Sequence, residues 1–115
     1  MNDSGDTALN RSRVGQLRQQ AAQRWSDLLG DSSACSLAKD GRSYPAAKFN
    51  EGQAASLGEL LRLIDADSSV EKVRDAAAVV LARWENEPHP HAAHSADWDA
   101  YRAGGIQAMS GILTP

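Results

Sequence analysis

All three histidines of the chain fall within six residues, His89-Pro90-His91-Ala92-Ala93-His94, and Asp97 follows three positions later. Imidazole nitrogens and carboxylate oxygens are good ligands for zinc and similar divalent ions, and clustering them lowers the entropy cost of assembling a site. If a helix starts early after this run, His91 and His94 share one face and Asp97 lies about a turn further on. The spacing matches no established metal motif, and the ordinary alternative is a solvated Pro/His linker. His89, His91, His94 and Asp97 are therefore the candidate ligands of a divalent metal, in a metal-dependent enzyme or a metal sensor. No other cofactor is implied. A di-iron bundle is excluded, because no Glu-x-x-His pair is present.

Other chemistry finds less support. Arg83 and His89, with five residues between them at a helix end, offer an arginine for phosphate and a histidine for proton transfer. This spacing resembles that of the HEPN ribonucleases, which are also small helical bundles. The resemblance covers seven of 115 residues, with Pro88 directly before the histidine, and it assigns the chain to no family. Cys35 is a lone thiol in a Ser/Ala-rich stretch with no adjacent base, so it forms no intrachain disulfide and carries no sign of activation. No Gly-x-Ser-x-Gly elbow occurs. Gly104-Gly105 sits inside a helical pattern and follows no strand, so it is not a phosphate loop.

Arginines frame the first apolar segment. On a helical wheel Arg11 and Arg18 fall on one flank of its stripe, Arg13 and Arg24 on the other, and no acid lies between Leu9 and Trp25. Long guanidinium stems can simply cover the edge of a core while their heads reach water. The functional alternative is a basic helix presented to an acidic partner or to nucleic acid. Nucleic acid is the weaker expectation, because the chain carries a net charge of −3 and its last 51 residues hold eight acids against four bases.

Four segments with a 3.6-residue apolar period position these groups. The first runs from about Leu9 to Leu29 with Val14, Leu17, Ala21, Trp25 and Leu28 on its stripe. The second follows Pro45, a good first-turn residue, with Ala46, Phe49, Gln53, Leu57, Leu60 and Ile64 aligned. The third opens on Ser68-Ser69-Val70-Glu71, where Ser68 and Glu71 have capping-box spacing, and aligns Val70, Val73, Ala77, Val80, Leu81 and Trp84. The fourth follows Ser95 with Trp98, Tyr101, Gly105, Ala108, Met109 and Ile112. The short link Asp65-Ala66-Asp67 predicts an antiparallel hairpin of the second and third helices. Asp40-Gly41 predicts a tight turn in the longest connection. The expectation is an all-α, single-domain, antiparallel four-helix bundle over residues 9–115, preceded by a flexible stretch at 1–8.

The segments also match in pairs. Val14, Arg24 and Trp25 recur as Val73, Arg83 and Trp84, and Phe49, Gly52, Leu57, Leu60 and Leu61 recur as Tyr101, Gly104, Met109, Ile112 and Leu113. The matches would make the chain two tandem helical hairpins packed about a pseudo-twofold axis, with grooves between the halves. The alternative is that any two amphipathic helices can be slid into register.

Composition turns attention to partners. Twenty of the 48 apolar residues are alanine, so the core is modest. Six of the nine glycines lie in predicted helices, each costing ~1 kcal/mol relative to alanine where exposed. Close backbone contacts, within the bundle or with another protein, would explain them. The third segment is apolar nearly all round at Ala76–Ala82, so it is either central or covers two surfaces. Gln53, inside an apolar stripe, needs a hydrogen-bond partner. These features favour a small non-catalytic interaction protein (regulatory, inhibitory or adaptor) over an enzyme. Its candidate contact residues are Val79, Ala76, Gly52, Gly104 and Arg18, facing another protein or a second copy of the chain. No run of apolar residues approaches the ~20 that a bilayer span needs. The opening residues lack a secretory pattern, so the expected compartment is the cytoplasm.

Overall fold

The computed structural model describes residues 9–29, 45–86 and 95–114. They form four helices, α1 (Arg11–Leu29), α2 (Pro45–Leu63), α3 (Val70–Asn86) and α4 (Ser95–Leu113), with no strand among the described residues. The turn expected at Asp40-Gly41 and the stretch 1–8 lie outside them. No helix is long and apolar enough to cross a membrane among the described residues.

Each helix start has a local cause. Asn10 caps α1, its Oδ1 accepting from the Arg13 amide at 2.9 Å. The capping of α3 differs by one residue from the sequence expectation. Ser69 Oγ, not Ser68, accepts from the Lys72 amide at 3.1 Å. Ser68 instead closes the preceding turn, accepting from the Asp65 amide at 3.0 Å and donating to Asp65 Oδ1 at 3.2 Å. The side chain one residue nearer the helix reaches its orphan amides, which frees the other for the turn. At the far end of α3, Arg102 of α4 donates to the carbonyls of Trp84 and Glu85. Those are last-turn acceptors with no intrahelical partner.

The bundle is organised around a tight crossing of α2 and α4. α1 packs against α2, α3 packs against α4, and α3 touches α2 more lightly. The short 64–69 link therefore joins two helices that pack mainly on others, so the expected α2–α3 hairpin is the looser of the contacts. A Cβ on Gly52 would overlap the Tyr101 carbonyl, and a Cβ on Gly104 would overlap the Phe49 carbonyl. In both cases the carbonyl carbon would stand 2.8 Å away. Only glycine permits this approach. The contact is reciprocal, since Phe49 and Gly52 are the residues that the sequence matches to Tyr101 and Gly104. A twofold relation between the hairpins α1–α2 and α3–α4 produces such exchanged contacts.

The crossing also redirects burial on α2. Ala47, Asn50, Gly52 and Ser56 are buried there, whereas Phe49 and Gln53 of the expected stripe are only half-buried and Ala46 is exposed. Small residues win the closest face because large ones would hold the backbones apart. Beside the crossing, Val14, Leu57, Leu60, Ile64, Val73, Ala77, Val80, Met109 and Ile112 form one core. Matched positions are buried alike: Val14 with Val73, Leu57 with Met109, Leu60 with Ile112. Helix α3 is peripheral. It buries Val73, Ala77 and Val80 and leaves Ala78, Val79 and Ala82 exposed.

Candidate functional site

A groove of about 470 Å³ runs along α1 and is floored by α2 and α4. α1 supplies Arg13, Leu17, Gln20 and Arg24, with Leu9 just before it. α2 adds Gln53 and Leu57, α3 adds Arg74, and α4 adds Gln107, Ala108, Gly111 and Ile112, with Thr114 just beyond. The α1 set recurs every three or four residues because that is the spacing of one helical face. The volume is in the range of ordinary ligand sites. Among the described residues three guanidiniums line this groove and no carboxylate does, in a chain whose net charge is −3.

The polar lining is a connected relay. Asn50 Nδ2 donates to the Ala46 carbonyl at 2.9 Å, so its Oδ1 is left to accept Arg24 Nε at 2.9 Å. Arg24 Nη2 donates to Gln53 Oε1 at 3.1 Å, and Gln53 Nε2 donates to Gln107 Oε1 at 2.6 Å. Each amide orientation is forced by its neighbour, because a carbonyl only accepts and a guanidinium only donates. Arg74 has no hydrogen bond or ion pair among the described residues, and the hydrogen bond of the Arg13 side chain is to Gln16 on its own helix at 3.4 Å.

Chemically the described lining offers guanidinium and amide donors, amide and hydroxyl acceptors and aliphatic contact. Thr114 Oγ1 is itself donated to the Ser110 carbonyl at 2.8 Å.

A second polar cluster lies apart from the groove lining. Trp84 Nε1 donates to Glu59 at 3.2 Å, and the same carboxylate pairs with Arg83 at 3.0 Å. The Trp84 ring lies 5.3 Å from Tyr101, which meets Trp98 edge-on at 5.5 Å, and Lys48 stands 5.2 Å over the Trp98 ring. Trp84 also lies against Gly105, where a Cβ would strike its indole. Burial, then the nearby Glu51 and Glu59, push the Tyr101 hydroxyl above its usual pKa. The interlocking aromatic and ionic contacts account for these residues as packing between α2, α3 and α4.

The residues singled out in the sequence separate. Gly52 and Gly104 meet opposite backbones inside the α2–α4 crossing. Arg18 lies across α2 beside Gly58, its Nε 3.3 Å from the Ala54 carbonyl, and is not part of the groove. Val79 is 55% exposed on α3, and Ala76 is half-buried against the core; neither lines the groove. His89, His91 and His94 lie outside the described residues, as does the side chain of Asp97 in the first turn of α4. Of the α1 arginines, Arg13 and Arg24, paired on one flank in the sequence, do share the groove.

Arg74, Gln20 and Gln107 join them without having been singled out. No spacing in the chain connects Arg74 to Arg13, since only the packing of α3 brings it there. Gln53 did carry a signal, as a polar break in an apolar stripe. No protein-family model matches the chain, and no curated protein or solved structure is significantly similar to it.

Proposed function

We propose that this protein is a small, non-catalytic interaction module that binds another protein through the groove along α1. The observation that carries this reading is the lining itself: Arg13, Arg24 and Arg74 around aliphatic side chains, with no carboxylate in the lining among the described residues. Charge left uncompensated on a half-apolar concavity suits an acidic partner surface, which it would steer and orient. The aliphatic part of the lining is Leu9, Leu17, Leu57, Ala108 and Ile112, with no aromatic ring among the described residues. That favours protein over single-stranded nucleic acid, which binds by stacking its bases on aromatic side chains.

A photo-crosslinking residue at Gln20, used in cells of the source organism, tests the reading. A discrete protein adduct that disappears on Arg74→Glu is expected. Adducts to nucleic acid, or none above a surface control position, would overturn it. A metal-dependent activity built on His89, His91, His94 and Asp97 predicts something different: near-stoichiometric zinc or iron in untagged protein, and a melting temperature lowered by chelator.

A further inference from the structure

The occupant of the groove can be specified further, resting on the proposal that the groove binds protein. We infer that it is an acidic amphipathic α-helix of the partner, laid along α1 between Arg24 and Arg13. Three independent observations converge on that chemistry.

The first is the direction of the hydrogen-bond relay. Its anchor is the Ala46 carbonyl, and every link from Asn50 through Arg24 and Gln53 runs so that oxygens face inward along the chain. The donors left over are the remaining Arg24 N–H groups, midway along the relay, and the Gln107 amide nitrogen at its open end. Arg13 and Arg74 add only donors. Gln20 and Thr114 can accept as well as donate, but the charge on the described lining is all positive, so it favours an occupant that brings carboxylates, whose bonds to guanidinium are about twice as strong as neutral ones.

The second is shape. Arg13 to Arg24 covers three turns of α1, about 16 Å. A helix of that length, 10–12 Å across, displaces well over twice the groove's 470 Å³. The helix thus rests on the rim while a stripe of its apolar side chains enters. An extended peptide has no comparable footing, because no strand edge exists among the described residues to receive its backbone. A helix satisfies its own.

The third is Gly111. A Cβ there would meet nothing within 4 Å, so no contact among the described residues requires glycine, although glycine costs a helix about 1 kcal/mol relative to alanine. It lies on the groove wall one turn beyond Gln107 and beside Ala108, and its missing side chain leaves room there for a docked backbone. Gly15 is equally open but does not line the groove.

Selection of randomised 18-residue displayed peptides against the intact protein tests the inference. Enriched peptides should place Asp or Glu beside apolar residues spaced three and four apart, and should gain helical circular dichroism on binding. Arg74→Glu should weaken them at least tenfold without changing the melting temperature. Gly111→Ala should weaken them while raising the melting temperature, whereas Gly15→Ala should raise it and leave binding alone. Groove-competing peptides without acids, with alternating apolar residues, or indifferent to Gly111→Ala would overturn the helical occupant and leave the interaction module standing. Failure to enrich any peptide sensitive to Arg74→Glu would overturn both.

Discussion

At the scale of single residues, two glycines let the backbones of α2 and α4 meet directly at their crossing. Gly52→Ala and Gly104→Ala each drive a methyl group into a backbone carbonyl, which cannot rotate away as a side chain would. Each should destabilise by about 1–3 kcal/mol in urea unfolding, the usual range for overpacking. The double variant should cost clearly less than the sum, because one widening of the crossing relieves both clashes; strict additivity would show that the two contacts are independent. Tyr101 supplies a pH-dependent counterpart. Its folded pKa lies above the unfolded value near 10, chiefly through burial and then through Glu51 and Glu59. The stability linked to this group is complete below pH 10 and is lost as pH rises through the folded value, since the unfolded chain ionises first. Tyrosinate absorbance should show Tyr101 titrating late. Stability should fall more steeply above pH 10 in the parent protein than in Tyr101→Phe.

At the scale of elements, helix positions were largely legible because periodicity and caps are local. The stripes of α1 and α3 coincide with the buried faces at Val14, Ala21, Val73, Ala77 and Val80. The cap of α3 was legible to within one residue, and two adjacent serines divided the work between turn and helix. Ser69→Ala should therefore cost about 1 kcal/mol of stability by chemical denaturation. A negligible cost would mean that Ser68 can take over the cap. The face of α2 was less legible. The helical period of the apolar residues points to the face of Phe49 and Gln53, yet Ala47, Gly52 and Ser56 are buried, because the neighbouring backbone comes close enough to admit only small side chains.

At the scale of the whole molecule, the reciprocal crossing gives the repeated pattern a physical meaning. Each hairpin, α1–α2 or α3–α4, would leave a glycine-bearing face and half the core in water if it stood alone. Residues 1–66 and 67–115, produced separately, should each show little helical circular dichroism and should recover it when mixed at equal concentration. Full helicity in either half alone would refute this mutual dependence. The sequence left the pairing of the two halves open but defined the class of fold, the approximate helix spans and the core residues of α1 and α3. Those properties follow from spacing along one chain, and spacing is written in residue order. The groove was decided only by tertiary structure. Arg74 shares a groove with Arg13 and Arg24 through the placement of α3, and Gln53 meets Gln107 because two glycines let α2 and α4 cross so closely. Contacts between residues far apart in sequence depend on how whole helices pack, and no local periodicity encodes that distance.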